Sequence, residues 1–193
     1  MTKQTKERCG WCVGNELYER YHDEEWGVPV HDDRKHFEFL ILEGAQAGLS
    51  WLTVLKRREG YRQAFCGFDP EKVAAFDEQD ILRLLGDQTI IRNRLKIRAA
   101  VNNAQVFLSI QKEFGSFDEY IWAFVGGQPV LSCPNDLQDI PARNELSDEI
   151  SKDLKKRGMS FVGSTIIYAH LQATGLINDH VRDCFLVGRS TLA

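Results

Sequence analysis

The chain has 193 residues, is 43% hydrophobic and 27% charged, and carries a formal net charge of -4 at pH 7. That length buries a real core as one domain or two small lobes, the composition excludes a disordered chain, and the acidic balance by itself argues against a nucleic-acid partner. No apolar run approaches the roughly 20 residues that span a bilayer, and the start, Met1-Thr2-Lys3-Gln4-Thr5-Lys6-Glu7-Arg8, lacks the apolar stretch of a secretory signal, so the expected compartment is intracellular and no membrane partner is expected.

Residues 9–29 hold Cys9, Trp11, Cys12, Tyr18, Tyr21, His22, Trp26 and Pro29 among glycines. Such density of aromatics and turn residues predicts loops around one short helix at 16–22. From 33 onward Phe37, Leu40, Ile41 and Ala45 recur at helical spacing behind Asp32 or Asp33 as N-cap, and this helix is expected to end within 44–48. Ser50 is a good N-cap for a second helix running toward 65. At the bend between them stands Leu42-Glu43-Gly44-Ala45-Gln46-Ala47-Gly48-Leu49-Ser50-Trp51. A carboxylate closes an apolar run there, and an indole follows two small-residue steps. That pattern points to a pocket in which Glu43 and Trp51 face a flat, electron-poor ring.

Beyond Asp69-Pro70, short amphipathic helices are expected at 73–76 and 80–85. The longest helix is expected over 91–111, with Leu95, Ile97, Val101, Ala104, Phe107 and Leu108 as its buried side. Arg92, Arg94, Lys96, Arg98 and Lys112 fall between 92 and 112 without a single acid, so an acidic chain still carries a basic stretch. A Gly- and Pro-rich loop over 126–141 is the one obvious lobe boundary, with nothing to build a sheet. Helices over 145–157 and 164–174 follow, and the fold class is all-α.

Lys155-Lys156-Arg157-Gly158-Met159-Ser160-Phe161-Val162-Gly163-Ser164-Thr165 places two helices around a glycine-bounded turn. Free N–H groups at Gly163, Ser164 and Thr165 favour an anion, so the turn suits a phosphodiester held without sequence reading. The plainer reading is an ordinary helix–helix turn with solvated lysines. The pair resembles the helix-hairpin-helix of base-excision DNA glycosylases. At the place where that superfamily carries a catalytic aspartate, this chain has Asn178, with Asp179 one position out of register.

Five cysteines, an odd number, do not form a disulfide framework, which leaves metal binding or plain burial. His180 and Cys184 are four apart and share a face of a helical turn, while Cys9 and His22 lie near the start. Four N and S ligands would close a structural tetrahedral shell and tie the two chain ends together. Cys9-x-x-Cys12 suggests a different ligand pair, and buried thiols with solvent-facing histidines remain the alternative without metal.

Glu7-Arg8-Cys9-Gly10-Trp11, Tyr21-His22-Asp23-Glu24-Glu25-Trp26-Gly27-Val28-Pro29, the 42–51 stretch, the 155–163 turn and Asn178-Asp179-His180-Val181 together resemble the 3-methyladenine DNA glycosylase I family across roughly residues 7–185. The resemblance implies a single all-α glycosylase unit over 1–193 with two helical lobes, its helix-hairpin-helix at about 145–175, and a structural zinc on Cys9, His22, His180 and Cys184. It implies a base pocket of Tyr21, Glu43 and Trp51 with Trp11, Tyr18 and Trp26 around them, Glu43 being the catalytic candidate. Gly48 and Leu49 form the tip of the bend, where Leu49 is either an apolar wedge entering the DNA or a staple packing onto the following helix, and Gly163, Ser164 and Thr165 are the phosphate contacts. The implied partners of the monomer are double-stranded alkylated DNA and a flipped 3-methyladenine, whose cationic ring leaves without a strong general acid. Two rival readings fit the residues less well. A zinc deaminase needs Pro-Cys-x-x-Cys after His-x-Glu, whereas Cys9 and Cys12 precede it. A non-catalytic zinc-stabilised helix-hairpin-helix DNA-binding protein has no reason to keep a carboxylate among aromatics.

Overall fold

Caps written into the sequence set where the helices start. In the computed structural model, which describes residues 6–188, Asn15 accepts from Tyr18 N–H to open α1 (Glu16–Glu24), and Asp32 accepts from Lys35 N–H to open α2 (Asp33–Gln46). Most of the segment 1–8, read above for its lack of a secretory leader, lies outside the described residues. Ser50 caps α3 (Trp51–Leu55) through Thr53 N–H. The helix expected from 50 toward 65 is two pieces, α3 and then α4 (Arg58–Ala64), with the break at Lys56 and Arg57. Asp69 caps α5 (Pro70–Ala74), whose proline occupies the first turn where no N–H is needed, and Asp77 forms a capping box with Asp80 on α6 (Glu78–Gly86).

The spine is α7 (Arg94–Phe114), which buries Ile97, Ala100, Val101, Ala104, Phe107 and Ile110 along one face. Leu95, expected on that face, is 70% exposed because it lies off the stripe set by Ile97 and Val101. A helix that the hydrophobic pattern did not suggest, α8 (Phe117–Ala123), follows directly. Its N-terminus is held from afar: Asp33, at the start of α2, accepts from Phe117 N–H and Asp118 N–H at 2.9 and 2.8 Å. The last helices are α9 (Glu145–Lys156) and α10 (Ser164–Ala173), joined by a turn.

One expectation is corrected: β1 (Val130–Leu131) pairs in parallel with β2 (Ile177–Asn178), Val130 opposite Ile177. The loop around β1 is therefore pinned to the segment after α10 rather than acting as a free linker. The fold is otherwise all-α, and no helix among the described residues is long and apolar enough to cross a membrane.

Two apolar clusters result. The larger gathers α2, α7, α8, α9 and α10 around Phe37, Leu42, Phe107, Ile121, Ile150 and Leu171. The smaller joins the chain ends through Cys9, Tyr21, Trp26, Phe39, Leu55, Ala173 and Cys184, and Trp51 packs against both. Between α1, α2 and α4, Arg58 reaches Glu25 at 2.7 Å and Glu38 at 2.8 Å. Burial would raise both acids, but hydrogen bonding to this guanidinium outweighs it and lowers them, Glu25 to about 2. A rigid base thus lies under the half of α2 that leads to Glu43.

Candidate active site and metal centre

Glu43 sits in the last turns of α2, at the end of the run Phe37, Leu40, Ile41, Leu42 that this helix drives into the core. That placement buries the carboxyl to 3% exposure, and its Oε2 finds no hydrogen-bond partner among the described residues. Burial alone pushes its pKa up from the ordinary 4.5 to about 8. A desolvated acid without a partner is costly, so such a group marks a site awaiting a ligand.

The ligand space is a cavity of about 340 Å³ lined by Glu43 together with Trp11, Tyr18, Tyr21, Trp26 and Trp51, a size that suits a small planar molecule. All six pocket residues anticipated from the sequence therefore meet. Trp11 stands edge-on to Tyr18 at 5.5 Å and to Trp26 at 5.2 Å between ring centroids, and Tyr21 tilts against Trp51 at 5.5 Å. Tyr18 is fixed by accepting from Leu52 N–H at 2.8 Å, which ties α1 to the start of α3. The Trp51 Nε1–H is buried without an acceptor. Tyr21 is raised well above the ordinary tyrosine value by burial and then by the charge of Glu43.

Five further residues line the cavity: Gln46, Leu137, Ile140, Ala169 and Gln172. Gln46 is three positions after Glu43 on one helix face, and Ala169 and Gln172 are likewise three apart, so helical spacing held a signal for them. Leu137 and Ile140 arrive from the loop expected to be a lobe boundary, which the pairing of β1 with β2 and the hydrogen bond from Arg182 N–H to Pro134 C=O hold against the segment after α10.

Next to this cavity the segment after α10 splits into two roles. Asp179 is buried and its carboxylate accepts from Tyr168 Oη–H at 2.7 Å, Gln172 Nε2–H at 2.6 Å and the Ser132 hydroxyl. These three donors take most of its roughly four acceptor positions and brace it against the cavity wall at Gln172. Asn178 Oδ1 accepts from both the backbone N–H and the ring Nδ1–H of His180, at 3.0 and 2.8 Å. The position where the resemblance would place an aspartate is thus spent here on orienting a histidine.

That orientation leaves His180 Nε2 as a buried lone pair with no partner, and burial lowers the ring's pKa to about 4. Cys9, His22 and Cys184 bring ligand atoms within 4.8 Å of one another, and the His180 ring centroid lies 5.0 Å from that of His22. Burial would lower His22, but hydrogen bonds with Cys184 and Asp23 outweigh it and raise it. Its Nε2 is 3.4 Å from Cys184 Sγ and its Nδ1 is 2.9 Å from Asp23 Oδ1. The hydrogen bond between the two thiols pulls Cys184 down and pushes Cys9 up. Two sulfurs and one imidazole thus gather with the second imidazole beside them, each ring held from behind by an oxygen, a donor set that could hold a metal ion. Residues 181–187 form tight turns rather than the helical turn expected for the His180, Cys184 pair. Cys12, the competing ligand, instead donates its S–H to Cys9 O at 3.1 Å. Gly27 is required nearby: its φ is 75° and an added Cβ would come within 2.7 Å of His180 Cε1.

The anticipated DNA-contacting residues lie outside the cavity. Gly48, at φ 79°, turns the chain so that Leu49 is 41% exposed. Gly163 is the N-cap of α10, Ser164 its first residue and Thr165 is exposed. The basic stretch on α7 is not a free cationic face, since Arg94 and Arg98 both pair with Glu78, at 2.9 and 2.7 Å, and Lys96 turns inward.

A family model described as methyladenine glycosylase matches residues 11–187. The chain is similar to DNA-3-methyladenine glycosylase 1 of Escherichia coli (strain K12), with 52% identity over 92% of this chain and 95% of that protein. It is 46% identical to the DNA-3-methyladenine glycosylase of Haemophilus influenzae, over 92% and 96% of the two chains. A solved structure addressing 3-methyladenine recognition by 3-methyladenine DNA glycosylase I from Staphylococcus aureus superposes with a TM-score of 0.90 at 39% identity, covering 93% of this chain and 96% of that one.

Proposed function

Because the chain belongs to the methyladenine glycosylase family, we infer that it hydrolyses the N-glycosidic bond of 3-methyladenine in alkylated DNA, releasing the free base and leaving an abasic site. The observation that carries the reading is a partnerless buried carboxyl, Glu43, in a cage of aromatic rings. It is the wrong group for a neutral ligand and the right one for a cation.

The chemistry follows from charge. An adenine methylated at N3 is cationic while bonded to the sugar and becomes neutral on leaving, so it departs without a strong general acid. What the protein must supply is selection. Ionising Glu43 in its buried site costs about 5 kcal/mol relative to water, at about 1.4 kcal/mol per pH unit from 4.5 to about 8. A cationic ring alongside offsets that cost, whereas neutral adenine does not and leaves the acid protonated at pH 7. Trp51 stacks on the ring and Tyr21 flanks it. Cation–π attraction contributes only about 0.5–2 kcal/mol, so Glu43 carries most of the discrimination. Once the bond breaks, the ring is neutral, Glu43 takes a proton back and the hold on the product weakens.

The duplex is engaged from two sides in this reading. Leu49 enters the base stack where the lesion is extruded, and the amides at Gly163, Ser164 and Thr165, as the second half of a helix-hairpin-helix, take a phosphate. The unit is a single two-lobed intracellular monomer. Cys9, His22, His180 and Cys184 would hold a structural zinc, which when bound cross-links the chain ends that carry Trp11, Tyr18 and Tyr21.

Chromatography of the bases liberated from methylated duplex DNA tests this: 3-methyladenine is released and abasic sites accumulate. Glu43→Gln lowers release far more than duplex binding, and undiminished release by Glu43→Ala would overturn the assignment.

A further inference from the structure

The tip that carries Leu49 is an exposed turn, and what holds it lies behind it. The last carbonyls of a helix need partners from outside the helix. At the end of α2, Gln46 C=O accepts from Leu49 N–H at 2.6 Å. Ala45 C=O and Ala47 C=O both accept from one group, Lys96 Nζ, at 2.8 and 2.6 Å. Those two carbonyls bracket the point where the chain leaves the helix, two residues past Glu43 and two before Leu49. Gly48, Leu49 and Ser50 beyond them face solvent.

Lys96 sits where a lysine is locally unfavourable. It is in the first turn of α7, which contains no acid, so its charge lies at the positive end of its own helix dipole. It makes no ion pair with a carboxylate among the described residues, and burial lowers its pKa. The compensation lies in α2, whose negative C-terminal end takes the ammonium. A residue that breaks a local rule to serve a distant segment marks a functional constraint.

Seven positions further along the same helix, Asn103 does the corresponding thing for the α9–α10 turn. Its Nδ2–H donates to Ser160 C=O at 2.8 Å, and its Oδ1 accepts from Ser160 N–H at 2.9 Å. Residues seven apart share a helix face. The two segments assigned to DNA are therefore tied to side chains on one face of α7.

We propose that Lys96 is a positioning residue for the reaction: by clamping the end of α2 to α7 it presents Leu49 in one geometry, at a fixed spacing from the α9–α10 turn, for entry into the base stack. The proposal rests on Leu49 being the wedge.

The test uses the full chain with Lys96→Met, which keeps the stem and removes the donors, alongside Leu49→Ala and the double variant. Affinity is measured for a duplex holding a tetrahydrofuran abasic-site analogue and, by tryptophan fluorescence, for free 3-methyladenine. Lys96→Met is expected to weaken duplex binding about tenfold and free-base binding less than about twofold, with the double variant within about twofold of Leu49→Ala alone, because two residues acting through one turn are not additive. Lys96→Arg, which restores donors, is expected to recover at least half of the duplex affinity and controls for misfolding. The proposal is overturned if Lys96→Met binds the duplex like the parent, if duplex and free-base affinities fall together, or if the two substitutions add. Parent-like duplex affinity of Leu49→Ala would instead remove the wedge itself, whatever Lys96→Met does.

Discussion

Replacing Glu43 by Gln should make the protein more stable and a worse enzyme, and the stability gain has a pH signature. The folded-state pKa of about 8 stands above the ordinary 4.5 because the site is desolvated. The folded protein then holds a proton that the unfolded chain releases, so stability falls as pH rises from 4.5 to about 8. At about 1.4 kcal/mol per pH unit the loss reaches about 3 kcal/mol by pH 7 and levels off near 5 kcal/mol above pH 8. Glutamine keeps an N–H donor in place of the acid's O–H and does not titrate. Urea unfolding of both proteins from pH 4.5 to 8.5 should give midpoints that coincide at the acid end and separate steadily toward neutrality, the variant being the more stable. Parallel curves over that range would refute the claim that Glu43 is held desolvated. The same variant should lose preference for the cationic lesion, the usual exchange of stability for function.

Metal analysis should find about one zinc per chain, none in a Cys9→Ala/His180→Ala double variant, and a lower melting temperature after chelation. His170 is fully buried with neither ring nitrogen partnered among the described residues, and burial holds its pKa well below 6.5. The unfolded chain protonates it first, so its contribution to stability is lost as pH falls below 6.5, and His170→Met should gain on the parent by about 1.4 kcal/mol per pH unit in that range. Asp179→Ala strands the donors of Tyr168, Gln172 and Ser132 and should cost more than about 3 kcal/mol in denaturant unfolding. Asp179→Asn should cost less and retain base release, whereas its complete loss in a folded variant would make Asp179 the base after all.

The helices were legible where local chemistry decides them. Asp32, Ser50, Asp69 and Asp77 cap helices by contacts within three residues, and the apolar spacing before Glu43 is a property of α2 alone. α8 escaped the hydrophobic pattern because it has seven residues and leans on Asp33 from α2. Ser116 and Glu119 nevertheless stand at capping-box spacing, and Ser116 does accept from Glu119 N–H. Glu43 and Trp51 share one stretch, Trp11, Tyr18, Tyr21 and Trp26 join them only through the family motifs, and Ala169 and Gln172 from the other end of the chain join through neither. Leu137 and Ile140 had no signal at all, since their place depends on a parallel pairing of two residues with two. Charge counting showed only part of α7: Arg94 and Arg98 share Glu78 from α6, and Lys96 donates to carbonyls of α2, and neither partner is visible along one segment.

The adjacent pair Asn178 and Asp179 supports assigning the selecting role to the carboxyl in α2. A general base must keep a lone pair free toward water, and three of the roughly four acceptor positions of Asp179 are already taken by donors. Asn178 has turned its own oxygen to His180, where an aspartate would add negative charge beside a site already holding two sulfurs. An asparagine there is consistent with a substrate that brings its own positive charge, because such a substrate needs less help in leaving than in being recognised. Among the described residues, the buried carboxyl left without a partner is Glu43, and a cationic base is the occupant that turns its burial from a cost into selectivity.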